Sequence, residues 1–151
     1  MVTAAIKAGT VDKQYLLVCP GDGVADHGQI DFPLATDPKN RRRVRACRDP
    51  REVARLAARP AETRYRVLRR SGDQALVEAS ASRAHRHQIR AHFAALGAPL
   101  VGDILYGAPP SAQLGRHALH ASLFAWPGGE GIAGLKVSSP LPDELAALLE
   151  G

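Results

Sequence analysis

The stretch Arg86–Leu96, which reads RHQIRAHFAAL, decides how this chain folds. Its large apolar side chains, Ile89, Phe93 and Leu96, recur at i, i+4 and i+7, the spacing that places them on one face of an α-helix. Gly97 follows directly and is a residue that commonly ends helices. The pattern therefore predicts a helix from Arg86 to Leu96 that packs on the core through those three side chains.

Strands are predicted on both sides of this helix. Residues 63–69 alternate, with Tyr65 and Val67 on one face, and Gly72-Asp73 is a typical hairpin turn before a return strand over residues 74–81. The other predicted strands cover 14–19, 28–34, 41–47, 117–126 and 132–138; short helices are predicted over 4–7, 49–58 (a loop being the alternative) and 142–149, and an extended connection over 99–106. This order predicts an α+β fold, with a mostly antiparallel mixed sheet and a packed central helix. A length of 151 residues is typical of a single domain, spanning 1–151.

The charge of the chain favours an anionic partner. Its formal net charge is +5, and nucleic acid is the first candidate for such a partner. Guanidinium groups suit phosphate because their planar donors match its oxygens two at a time. The arginines form three clusters, within residues 41–48, 64–70 and 83–90. These clusters could merge into one groove, although solvated surface is the alternative. We predict RNA contacts for Arg41, Arg42, Arg43, Arg83 and Arg86.

The central stretch resembles the signature of RluA-type RNA pseudouridine synthases. That family typically reads T-G-R-T-H-Q-I-R-x-H-L and then I-G-x-P-I-x-G-D-x-L-Y-G, which residues 86–92 and 97–107 match in order and spacing. Further matches lie at 13–15, 28–34, 63–68, 116–121 and 139–143, so the resemblance covers nearly the whole chain. It implies the C-terminal half of a pseudouridine synthase catalytic domain and an RNA partner, either structured ribosomal RNA or transfer RNA.

The resemblance also implies a uridine pocket. From composition alone, Tyr15 in an apolar strand would be a core residue, but it matches the family tyrosine that lines the pocket. The match assigns Tyr15, Ile89 and Arg90 to substrate binding. In the family pattern Arg90 would pair with the catalytic aspartate, and we expect it to lack that partner here. Asp103 falls in the family's structural G-D-x-L-Y-G turn.

The chemistry of the family is incomplete in this sequence. The catalytic aspartate of the family lies in an H-R-L-D segment, and the chain contains no such segment. The family T-G-R-T is replaced by Arg83-Ala84-His85-Arg86, so the rim of the pocket is altered. We therefore expect no catalytic residue of the family type in this chain.

No metal, cofactor or membrane span is expected. His85, His87 and His92 do not have the spacing of a zinc site, and the two cysteines, Cys19 and Cys47, are far apart. No apolar run approaches the length of a transmembrane helix. These features predict a cytoplasmic protein.

Three functional interpretations remain. The first is an RNA-binding protein of the family that has lost catalysis. The second is a pseudouridine synthase whose N-terminal catalytic half is truncated or supplied by another chain. The third is a self-associating protein, either a homodimer or bound to a partner chain through an open sheet edge. Met1 followed by a helix-like piece favours a natural short chain and hence the first interpretation.

Overall fold

A computed structural model gives the fold of residues 12–81, 85–111, 117–126, 135–138 and 142–149. Over these ranges, six strands form one sheet in the order β2-β5-β6-β1-β7-β8, and β3 and β4 form a separate two-stranded sheet. Every strand pair described is antiparallel. The strands are β1 Asp12–Pro20, β2 His27–Ile30, β3 Leu34–Thr36, β4 Val44–Ala46, β5 Thr63–Ser71, β6 Gln74–Ala81, β7 Leu119–Trp126 and β8 Leu135–Ser138. The predicted α+β class is confirmed.

The helices are short. They are α1 Pro50–Leu56, α2 Gln88–Ala95 and α3 Asp143–Ala146, with 3₁₀ turns at Gly21–Gly23, Ile104–Tyr106 and Ala147–Leu149. Asp49 caps α1 by accepting a hydrogen bond from the Arg51 backbone N–H at 2.8 Å. No helix in the described ranges is long and apolar enough to cross a membrane.

Helix α2 packs on one face of the sheet, as its apolar spacing predicts. Phe93 is fully buried and Ile89 nearly so, together with Leu17 and Val77 of the strands beneath. Leu96 is partly buried against the same cluster. On the opposite face, Val18 packs against residues of the C-terminal turns. The sheet is therefore covered on both faces at β1.

The β5–β6 hairpin is confirmed. Gly72 has φ +57°, the left-handed conformation that glycine adopts without strain. The strands pair from Arg64 opposite Ser80 to Ser71 opposite Gln74, with a register shift between Val67 and Arg69. Tyr65 and Val67 face the core, whereas Leu68 lies on the outer side and is exposed.

Several predicted elements differ from the structure. The strand expected over 28–34 is divided into β2 and β3, because Pro33 has no N–H to continue a ladder. The strand expected over 41–47 is only Val44–Ala46, and Arg41–Arg43 belong to the turn of the β3–β4 hairpin. The extended connection expected over 99–106 contains a 3₁₀ turn, and the helix expected over 4–7 lies outside the described residues.

The central helix begins at Gln88 rather than at Arg86. His87 precedes it with φ +57°, a left-handed conformation that cannot continue a right-handed helix. Arg86 therefore lies on the connection that leads into the helix. The position of Arg86 outside the helix determines which residues its guanidinium group can reach.

Candidate nucleic-acid interface

The two signature segments are joined by a buried ion pair. Arg90 Nε and Nη2 donate to the two carboxylate oxygens of Asp103 at 2.9 and 2.8 Å. The side chains are only 13% and 1% exposed. The hydrogen bond to Asp103 raises the pKa of Arg90. Asp103 belongs to the structural G-D-x-L-Y-G turn and is not the family's catalytic aspartate, so the expectation that Arg90 lacks that aspartate stays a prediction.

A second contact joins the same segments through Tyr106. Its hydroxyl oxygen accepts the Val44 backbone N–H at 2.8 Å and lies 2.9 Å from His87 Nδ1. The hydroxyl oxygen has a second lone pair beside the one that accepts from Val44, so the direction of the bond to His87 depends on the tautomer; we assign the tautomer with its proton on Nε2, in which the hydroxyl donates to Nδ1. Burial, followed by the nearby Arg90 and Arg86, lowers the pKa of His87 and supports this neutral form. His87 thus pairs with Tyr106, and Arg90 pairs with Asp103, so the two segments run in opposite directions where they meet.

The third polar cluster lies beneath the helix. His92 is fully buried, with Nε2 2.8 Å from the Phe32 carbonyl oxygen and Nδ1 2.8 Å from Thr63 Oγ1. Gln88 Nε2 donates to Thr63 Oγ1 at 3.0 Å and to the Glu62 carbonyl oxygen at 2.9 Å. Both ring nitrogens are hydrogen-bonded, so His92 has a structural role. Over the described ranges, no three His, Cys, Asp or Glu side chains are grouped as metal ligands would be.

A basic groove of about 530 Å³ runs between the β3–β4 hairpin, helix α1 and the start of α2. Four guanidinium groups belong to its lining, those of Arg41, Arg55, Arg59 and Arg86. The remaining lining residues are Leu34, Ala35, Thr36, Pro38, Val44, Leu56, Ala57 and His85. In the part of the chain that the structure describes, neither aspartate nor glutamate lines it. The groove is therefore positively charged and open to an anion.

Two of the predicted clusters meet at this groove. Arg86 Nη1 donates to the Arg42 carbonyl oxygen at 3.2 Å, across 44 positions of sequence. Arg41 and Arg42 are exposed at the hairpin turn. Arg43 differs, because its guanidinium pairs with Asp37 at 3.0 Å and lies beside a neighbouring groove. Arg83 lies outside the described residues.

Arg55 and Arg59 line the groove although the sequence patterns above did not single them out. Arg59 enters the groove because its N–H and carbonyl group exchange 2.8 Å hydrogen bonds with Leu34, an isolated bridge between distant segments. Arg55 lies in α1, whereas Arg59 lies beyond the end of that helix at Leu56. Only the long-range bridge to Leu34 brings Arg59 to the groove, so no local sequence pattern could have identified it.

The residues assigned to the uridine pocket lie apart from this groove. Tyr15 is half-buried beside the core cluster on the α2 face, and burial raises its pKa. Ile89 is 4% exposed and belongs to that cluster. Neither residue lines the basic groove. Their role in substrate binding stays a prediction.

Comparison with known proteins decides the family. The family model described as RNA pseudouridylate synthase matches residues 1–95, more than half of the chain. This chain belongs to the RNA pseudouridylate synthase family. The resemblance to RluA-type synthases is thereby confirmed.

Relatives within the pseudouridylate synthase family are longer. The chain is 33% identical over 141 residues to an uncharacterized RNA pseudouridine synthase, YlyB, of Bacillus subtilis. The alignment covers 93% of this chain and 44% of YlyB. It is 34% identical over 149 residues to the ribosomal large subunit pseudouridine synthase D of Nitrosomonas europaea. That alignment covers 93% of this chain and 41% of the relative. The chain thus spans less than half the length of these curated relatives.

A solved structure shares the fold. Human RNA pseudouridylate synthase domain containing 1 superposes with a TM-score of 0.72 at 23% identity, covering 96% of this chain and 61% of the human one. The likeness shows that the sheet and central helix of this chain have the arrangement found in pseudouridylate synthases.

The carboxylates of this family member are mostly paired with arginines or exposed to solvent. Among the residues whose burial is described, the buried carboxylates are Asp37 and Asp103, and both are paired with arginines. Asp31 is exposed beside β2.

Proposed function

We propose that this chain binds structured RNA along the basic groove and does not isomerise uridine by itself. The observation that carries the proposal is the convergence of Arg41, Arg55, Arg59 and Arg86 on one groove without a lining carboxylate among the described residues. The family to which the chain belongs supports RNA as the ligand. Ribosomal RNA is the first candidate, because a relative is named as a ribosomal large subunit pseudouridine synthase, and transfer RNA is the second.

The arginines that line the groove differ in their charge partners from the arginines of the six-stranded sheet. On the outer face of β5, Arg64 pairs with Glu62 at 2.8 Å and Arg66 with Glu78 at 3.0 Å. Within the described ranges, no carboxylate pairs with Arg41, Arg59 or Arg86, whereas Arg55 pairs with Glu52 at 3.8 Å. An ordinary solvated surface mixes both signs of charge. Unpaired guanidinium groups in a concave surface are suited to a phosphate backbone.

Among the described residues, the groove lining contains His85 but no Phe, Tyr or Trp. Stacking on aromatic rings is the usual way in which a protein holds unpaired bases. The groove therefore contacts the RNA backbone, and any base contact belongs to another part of the surface. Tyr15 stays the candidate for that contact in this proposal.

Arg86→Ala should weaken RNA binding and reduce its dependence on salt. Each phosphate neutralised by an arginine releases counterions, so the slope of log affinity against log salt should fall by about 0.7–0.9 for each phosphate that is no longer neutralised. Fluorescence anisotropy with a structured RNA between 50 and 300 mM salt, about the range over which such interactions weaken, measures the slope.

Arg66→Ala is the matched control, since it removes one exposed arginine that is already paired with Glu78. Its slope should equal that of the unaltered chain. Equal slopes for Arg86→Ala and Arg66→Ala would show that the groove is ordinary solvated surface and does not bind RNA phosphates.

The second candidate function is a pseudouridine synthase whose H-R-L-D aspartate comes from outside this sequence. The fact that favours it is that the chain spans 44% and 41% of relatives that are named as synthases. In that case the groove would hold RNA while another polypeptide segment supplies the carboxylate. Adding such a segment in trans would restore isomerisation only under this alternative.

A third proposal concerns self-association. In the described sheet, β2 is a terminal strand, and its second edge has no strand partner among the described residues. A second copy or a partner chain could add a strand there. Sedimentation at micromolar concentration should reveal a dimer, and a monomer that stays folded at all concentrations would exclude pairing between copies.

A further inference from the structure

We propose that the Tyr106 hydroxyl is a positioning group, which holds two walls of the basic groove, the β3–β4 hairpin and the connection into α2, in register so that one RNA strand contacts both. This inference rests on the proposed function of the groove. It gives the G-D-x-L-Y-G turn a task in RNA binding, although Tyr106 itself is not part of the lining.

The two walls come from distant parts of the chain. One wall is the β3–β4 hairpin, whose turn carries Arg41 and Arg42, and the other is the connection into α2, which carries Arg86. Their direct link is the 3.2 Å hydrogen bond from Arg86 Nη1 to the Arg42 carbonyl oxygen. An RNA phosphate would compete for that same guanidinium. A link that RNA does not displace is therefore needed to keep the walls in place.

Tyr106 supplies that link from behind the groove. Its hydroxyl accepts from the Val44 N–H of the hairpin and, in the assigned tautomer, donates to Nδ1 of His87, the residue next to Arg86. One hydroxyl group thus uses its donor on one wall and a lone pair on the other. Burial raises the pKa of Tyr106, so the hydroxyl keeps its proton at neutral pH.

The turn that carries Tyr106 is itself fixed to both walls. Asp103 is held by Arg90 of α2, and the Leu105 carbonyl oxygen accepts from Arg43 Nη1 of the hairpin at 3.4 Å. The Tyr106 ring packs with Leu34, Val44 and Ala91, and the Arg90 guanidinium lies 5.0 Å from its centroid. The hydroxyl therefore has little freedom to move away from its two partners.

His87 is suited to the acceptor position for two reasons. It tolerates the φ of +57° better than most side chains, and its Nδ1 is directly bonded to Cγ. Asparagine shares both properties, because it is frequent in this backbone region and its Oδ1 is also bonded to Cγ. His87→Asn should keep the acceptor, whereas His87→Leu removes it.

The test measures coupling between the two walls rather than affinity alone. RNA affinities are determined for the chain, for Arg41→Ala, for Arg86→Ala and for the double variant, and the same cycle is repeated in Tyr106→Phe. If one strand contacts both walls, the two arginines are coupled by more than about twofold in the unaltered chain. In Tyr106→Phe, which keeps the ring, we expect the coupling to disappear. His87→Leu should also abolish it, and His87→Asn should preserve it.

Ser71→Ala is the stability control. It removes a part-buried hydrogen bond to the Leu149 carbonyl oxygen, far from the groove, and should leave the coupling intact. Coupling that persists in Tyr106→Phe, or that disappears equally in Ser71→Ala, overturns the role of Tyr106. If neither Arg41→Ala nor Arg86→Ala changes affinity in the unaltered chain, the proposed function of the groove fails instead.

Discussion

Asp103→Ala should destabilise the chain by about 3–5 kcal/mol in chemical denaturation, because it leaves the buried Arg90 guanidinium without its partner. Asp103 is 1% exposed and accepts two hydrogen bonds from Arg90, at 2.9 and 2.8 Å. Removing the carboxylate leaves a positive charge that neither water nor another group can fully solvate. The unfolding free energy falls mainly because the Arg90 charge is left buried without a partner, and less because the attraction between the two groups is lost.

The double variant Arg90→Met/Asp103→Leu separates these two contributions. It removes both charges while keeping apolar volume, and replacements of this kind are often close to neutral. We expect it to be more stable than Asp103→Ala alone. The single variants Arg90→Met and Asp103→Leu complete the comparison. If the double variant is destabilised by the sum of their two effects on the unfolding free energy, the pair is not coupled as described.

Phe93→Ala should cost about 3–5 kcal/mol of unfolding free energy, because it opens a cavity beneath α2. The Phe93 ring is fully buried and meets the Tyr65 ring edge-on, with centroids 5.4 Å apart. The sheet below is formed by small and medium side chains such as Ala79 and Val77, which cannot move in to fill the space. Urea denaturation monitored by circular dichroism gives the value.

Leu68→Ala is the matched control for Phe93, since Leu68 is 43% exposed on the outer side of the sheet. It should cost less than about 1 kcal/mol. A destabilisation below about 1 kcal/mol for Phe93→Ala would contradict the helix face assigned to the core.

Local patterns in the sequence predicted the elements whose stability is local. The alternation of 63–69 and the Gly72 turn predicted the β5–β6 hairpin, and the spacing of Ile89 and Phe93 predicted the buried face of α2. The β3–β4 hairpin was harder, because it depends on long-range bonds such as Cys47 N–H to the Pro33 carbonyl oxygen and the bridge from Leu34 to Arg59. No periodicity within a short window contains those contacts.

The same limit applies to the groove. The arginine clusters could be recognised, and the expectation that they could merge agrees with the hydrogen bond between Arg86 and Arg42. Which arginines stay unpaired could not be predicted, because Arg43 is engaged by Asp37 only after the hairpin has turned. The partner of Arg90 could not be predicted either, since it required the 3₁₀ turn to bring Asp103 against the helix.

Pseudouridine mapping on bound RNA tests the central claim most directly. The purified chain is incubated with structured ribosomal and transfer RNAs at protein concentrations that saturate binding, beside an active pseudouridine synthase as positive control. The account predicts RNA that is bound but contains no new pseudouridine, because the sequence has no H-R-L-D aspartate and its described buried carboxylates are paired with arginines. Multiple turnover by this chain, abolished when an aspartate such as Asp31 is replaced with asparagine, would contradict it.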